Sequence, residues 1–102
     1  MRYREYMPRE ASDIERALGR LLTVIQCEET RAVGSAEWPA AHGALTRAEC
    51  LYWAAKDSLL GAALAGRAVR EYLGREWLSR HPRTLAAIQE VEERVRDFAR
   101  QA

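Results

Sequence analysis

The chain has 102 residues, of which 48% are hydrophobic and 30% are charged, and its formal net charge is +1. This length fits one domain with its own core, and the balance of apolar and charged residues excludes a disordered chain. The near-zero net charge excludes a global attraction to nucleic acid or to a membrane surface, so any such contact has to come from a local cluster of charges.

Residues 1–11 form a polar lead, and we expect residues 12–102 to form a single helical domain. The lead lacks the apolar core of a signal peptide, and no stretch reaches the roughly 18 apolar residues of a membrane span. Cys27 and Cys50 do not have the spacing or the histidine partners of a zinc site. We therefore expect a cytoplasmic protein with no membrane contact, no metal and no cofactor, in which both thiols are free and buried.

The first helix is indicated at both of its ends. Ser12 and Glu15 have the spacing of a capping box, in which each side chain bonds the backbone of the other residue. Apolar residues then recur at steps of four, three and four, and Gly34 is a typical residue just beyond a helix end. This predicted stripe consists of Ile14, Leu18, Leu21 and Ile25.

Helix boundaries in the middle of the chain are harder to predict. Residues 33–45 contain two glycines and a proline without a clean period, which predicts a connection with at most one helical turn. Thr46 and Glu49 form a second capping-box pattern, so a second helix is expected to open there. Its predicted apolar face comprises Cys50, Leu51, Trp53, Ala54, Leu60 and Leu64. Whether residues 46–79 form one helix or two stays open.

The last helix is predicted from about Arg83 to Arg100, after the break that Pro82 imposes. Its apolar seam steps by three and four residues, and its outer face is dense with charge. The seam is formed by Leu85, Ile88, Val91, Val95 and Phe98. Because no segment alternates as a strand does, the fold class is predicted to be all-α, a compact helical bundle of about four helices.

Arginine dominates the basic residues, with fifteen Arg against Lys56 alone. Phosphate contacts need cations on one surface, and seven of the arginines could supply a basic ribbon of this kind. Residues 67–83 carry five Arg against two Glu, a local charge of +3. The predicted nucleic-acid-binding residues are Arg16, Arg20, Arg67, Arg70, Arg75, Arg80 and Arg83. A solvated helix face in an arginine-rich proteome is the alternative explanation.

Two further patterns carry alternative interpretations. Arg75 precedes His81 with five residues between them, which resembles the Arg-x(4–6)-His signature of HEPN ribonucleases. That resemblance implies that both side chains act on RNA at a dimer cleft. The alternative is that His81 is a helix-end residue, whose interaction with the negative pole of the helix dipole is favourable. Nucleic-acid bases could stack on the aromatic side chains of Trp53, Tyr72 and Trp77. Aromatic residues at helical spacing are more often anchors in a core or an interface.

The segment Leu18-Gly19-Arg20-Leu21-Leu22-Thr23-Val24-Ile25-Gln26 resembles a helix of the C-terminal helical part of the large subunit in type I-C CRISPR effector complexes. That part also occurs as a separate small subunit. The resemblance covers nine residues of the chain. It implies a small bundle that packs inside a ribonucleoprotein and contacts nucleic-acid backbone through arginine, of which Arg20 is the one residue carried over.

These observations lead to a ranked set of functions. The leading prediction is a non-catalytic helical subunit that packs against protein partners and contacts RNA or single-stranded DNA through the arginines. The first alternative is a protein–protein interaction module without nucleic-acid binding, such as a homodimer, an adaptor or a phage-encoded inhibitor. The second alternative is a HEPN-like ribonuclease. No catalytic residues are assigned, because no catalytic constellation is apparent in the sequence.

Overall fold

Three long helices and three one-turn helices make up the part of the chain that the computed structural model describes, residues 12–101, with side chains up to residue 98. In chain order they are α1 (Asp13–Ala32), α2 (Trp38–Lys56), α3 (Leu60–Leu64), α4 (Val69–Leu73), α5 (Arg75–Ser79) and α6 (Leu85–Gln101), with a 3-10 turn (Pro82–Thr84) before α6. These residues contain no strand, so the prediction of an all-α bundle is confirmed. The predicted polar lead lies outside the described residues.

Helix α1 has the ends that the sequence predicts. The hydroxyl of Ser12 accepts a hydrogen bond from the backbone N–H of Glu15 at 3.2 Å, which satisfies one donor of the first turn. The helix ends at Ala32, and Gly34 adopts a left-handed backbone with φ of 82°. Glycine takes this conformation at little cost, so it stops the helix where the stripe ends.

Helix α2 begins eight residues earlier than the capping-box pattern predicts, so the expected start at Thr46 is wrong. Pro39 lies in the first turn of α2, where the N–H that proline lacks would have no helical partner in any case. Thr46 is inside the helix, and its hydroxyl donates to the carbonyl of His42 at 3.0 Å. The connection from α1 is therefore short, and it covers residues 33–37.

The region from 46 to 79 is neither one helix nor two. After α2 ends at Lys56, the backbone takes positive φ values at Ser58, Ala65, Gly66 and Gly74, and each of these residues interrupts the helical path. The segments left between the interruptions are α3, α4 and α5, each of five residues. They wrap around the long helices and do not extend α2.

The core is centred on α1, which packs against both α2 and α6. The pairing with α2 is antiparallel, because Glu29 near the end of α1 contacts His42 near the start of α2. The predicted stripe of α1 supplies the fully buried Leu18, Leu21 and Ile25. Opposite them lie Ala41, Ala44, Ala48 and Leu51 of α2, Leu73 of α4, Trp77 and Leu78 of α5, and Ile88 and Val91 of α6.

Several residues expected in the core are at the surface. Cys27 and Cys50 are exposed, so the prediction of buried thiols is wrong. Trp53 is also exposed, although it belongs to the predicted apolar face of the second helix. The reason is helical geometry: Cys27 and Trp53 each follow a buried residue, Ile25 or Leu51, by two positions, which is about 200° around the helix.

The seam of α6 is covered along only part of its length. Ile88 and Val91 are fully buried, Val95 is half-buried, and Phe98 is 63% exposed. Leu85, the first residue of the helix, is also exposed, because the preceding 3-10 turn brings Thr84 into the core in its place. The outer end of the α6 seam therefore extends beyond the core of the domain.

None of the helices in the described part combines the length and the apolar character that crossing a bilayer requires. Within residues 12–98, no three side chains of His, Cys, Asp or Glu come together as metal ligands would.

Candidate functional site

The two predicted nucleic-acid arginines on α1 each pair with a carboxylate. Arg16 donates to Asp13 at 2.7 Å within the helix. Arg20 forms a two-pronged contact with Glu90 of α6, in which Nε lies 2.9 Å from Oε1. This hydrogen-bonded guanidinium holds the pKa of Glu90 below its usual range, and the carboxylate in turn raises the pKa of Arg20. Arg20 thus links α1 to α6, which leaves its donors less free for phosphate.

Most of the arginines in the 67–83 stretch also have partners. Arg67 donates to the carbonyl of Leu64 at 3.0 Å and lies over the ring of Tyr72, and Arg70 reaches Glu92 of α6 at 3.0 Å. Arg80 is 3.2 Å from Glu76 and 3.8 Å from Glu37. Arg75 and Arg83 are exposed, and no carboxylate among the described side chains pairs with either.

The structure does not gather these seven arginines on one surface. Arg20 and Arg70 pair with Glu90 and Glu92, which are two residues apart and project about 200° apart from α6. The two arginines therefore lie on opposite flanks of that helix, one on α1 and the other on α4. Of the five arginines in the 67–83 stretch, Arg70 and Arg80 form ion pairs.

His81 is enclosed beside the core. Its ring stacks on Trp77 with the centroids 4.1 Å apart, and Nδ1 lies 2.9 Å from a carboxylate oxygen of Glu28. The side chain is 15% exposed, and its Nε2 is buried without a hydrogen-bond partner among the described residues. Neither ring nitrogen is thus open to a substrate, whereas Arg75 is at the surface. The HEPN-like pairing of Arg75 with His81 stays a prediction.

A second histidine repeats this arrangement next to the first. His42 stacks on Trp38 at 4.7 Å, and its Nδ1 is 3.2 Å from Glu29. In both cases the tryptophan precedes the histidine by four residues. For Trp38 and His42, which both lie in α2, this spacing places the two rings one above the other on the helix. His81 instead lies beyond the end of α5. This pattern was not predicted from the sequence, although the spacing Trp-x-x-x-His occurs twice and could have revealed it.

A groove lies at the other end of the bundle, where α1 begins. It measures 670 Å³, and apolar surface dominates its walls. The walls come from the first turn of α1, the junction between α2 and α3, and the outer end of α6. Its lining includes Ile14, Ala55, Leu60, Leu64, Val95 and Phe98, with Asp13, Arg94 and Asp97 among the charged residues.

Phe98 is the feature that distinguishes this groove. A phenylalanine that is 63% exposed projects beside an apolar hollow, and Leu59, which adjoins the groove residue Leu60, is exposed as well. Apolar surface of this kind, edged by polar residues, is typical of sites where proteins or ligands bind. The sequence predicts Phe98 on the core seam, but its burial depends on the other helices, and the described residues leave this end of the seam exposed.

No protein-family model, curated protein or solved structure matches this chain. The nine-residue segment that resembles the CRISPR subunit lies inside α1, where Leu18, Leu21 and Ile25 are buried in the core. Its one carried-over residue, Arg20, is paired with Glu90. The resemblance stays a prediction, and the assignment of function depends on the geometry of the groove and of the arginines.

Proposed function

We propose that the protein is a non-catalytic interaction module that binds a protein partner through the apolar groove between α1, α3 and α6. The observation that carries this proposal is Phe98, which is 63% exposed at the edge of a 670 Å³ hollow. Exposed aromatic residues beside apolar pockets are the anchors that most often dominate the free energy of binding in protein interfaces.

The arginines support this function over a ribonucleoprotein subunit that contacts nucleic acid. Five of the seven predicted residues already hydrogen-bond carboxylates or backbone carbonyls, and the two that pair with α6, Arg20 and Arg70, lie on its opposite flanks. Breaking those contacts would offset part of the free energy gained by binding phosphate. The charges of Arg20 and Arg70 therefore join helices, and we assign the groove to the partner.

The test compares two substitutions at matched exposed residues. Phe98 is 63% exposed at the groove, and Val33 is 66% exposed at the opposite end of α1. A partner isolated from an extract of the source cells, identified and then purified, should bind the wild type and Val33→Asp equally in calorimetric titrations. We expect Phe98→Asp to weaken the affinity by about thirtyfold or more, the effect of losing an interface anchor. Equal affinity of all three proteins would contradict the proposal.

A further inference from the structure

We draw no further inference here: the strongest candidate, the apolar groove between α1, α3 and α6 beside the exposed ring of Phe98, belongs to the site already described, and nothing in the structure shows what covers it.

Discussion

At the scale of single residues, the mostly buried carboxylate of Glu28 makes the free energy of unfolding sensitive to pH. It lies beside the core and receives hydrogen bonds from His81 at 2.9 Å and from Arg31 at 2.9 Å. The hydrogen bond from His81 holds the pKa of Glu28 below its usual range, and the Arg31 contact acts in the same direction against the effect of burial. The ionised carboxylate therefore stabilises the folded state.

This pairing makes the free energy of unfolding depend on pH. A carboxyl whose pKa is lowered by folding contributes stability above its unfolded pKa, and the contribution is lost as the pH falls through the folded pKa. Glu28→Gln should therefore reduce stability by about 1–3 kcal/mol at neutral pH and by less in acid. Urea titrations at several pH values measure the difference, and Glu93→Gln, at an exposed residue, is the control. A Glu28→Gln deficit that is the same at every pH would contradict this account.

At the scale of the helices, the sequence predicts those helix boundaries that interactions between neighbouring residues determine. Helix α1 was found because its cap at Ser12, its stripe and the stop at Gly34 agree with one another. The start of α2 was missed because Pro39 and Gly43 are usual signs of a loop, although both lie within a helix. The breaks after Lys56 depend on left-handed residues such as Ser58 and Ala65, which are not glycine and give no signal in a sequence.

The candidate site could not be predicted in the same way. The sequence correctly places Phe98 on the apolar seam of α6, but burial depends on which other helices reach that end of the seam. The ion pairs of Arg20 and Arg70 join residues far apart in the chain, 70 positions in one case and 22 in the other. Arginine counts along the sequence carry no information on such partners, so these two bridges between helices could not be predicted.

One arginine outside the predicted set holds two helices together. Arg47 of α2 donates from Nε and Nη2 to the carbonyl of Leu73, at 3.2 and 2.9 Å, where α4 ends. The next residue, Gly74, has φ of 106° and turns the chain into α5. The guanidinium thus caps α4 from another helix and occupies the space beside this turn.

Replacing this arginine should loosen the packing of α4 on α2. Arg47→Ala leaves the carbonyl of Leu73 without its donors, and we expect a loss of about 1–3 kcal/mol in the free energy of unfolding. Arg47→Lys keeps one donor and should recover part of the loss. Chemical denaturation followed by circular dichroism measures both, with Arg96→Ala at an exposed residue as the control. If Arg47→Ala were as stable as the control, the contact would contribute nothing to the fold.

At the scale of the whole molecule, the two functional hypotheses require different surfaces. Nucleic-acid binding can be tested at Arg75 and Arg83, the two exposed arginines of the predicted set that pair with no carboxylate or backbone carbonyl among the described residues, since substitutions at Arg20 or Arg70 also break links between helices. Protein binding would use the groove and Phe98. Variants can therefore separate the hypotheses without unfolding the domain.

We expect the purified protein to give no shift of a single-stranded RNA oligonucleotide in gels at low salt, and the double variant Arg75→Glu with Arg83→Glu to behave in the same way. Low ionic strength favours contacts between arginine and phosphate, so the assay is run under the conditions most favourable to binding. A shift that weakens steeply with salt and disappears in the double variant would instead support a nucleic-acid-binding subunit.

The central claim is that the groove is the surface through which this protein binds its partner. The most direct measurement is a two-dimensional amide NMR spectrum of the labelled protein, recorded with and without the purified protein partner. We expect the changes in chemical shift to cluster at the groove, around Ile14, Leu60 and Phe98, and to leave Val33 and Arg75 unmoved. Changes centred on Arg75, or a spectrum that does not change when the partner is added, would contradict the claim.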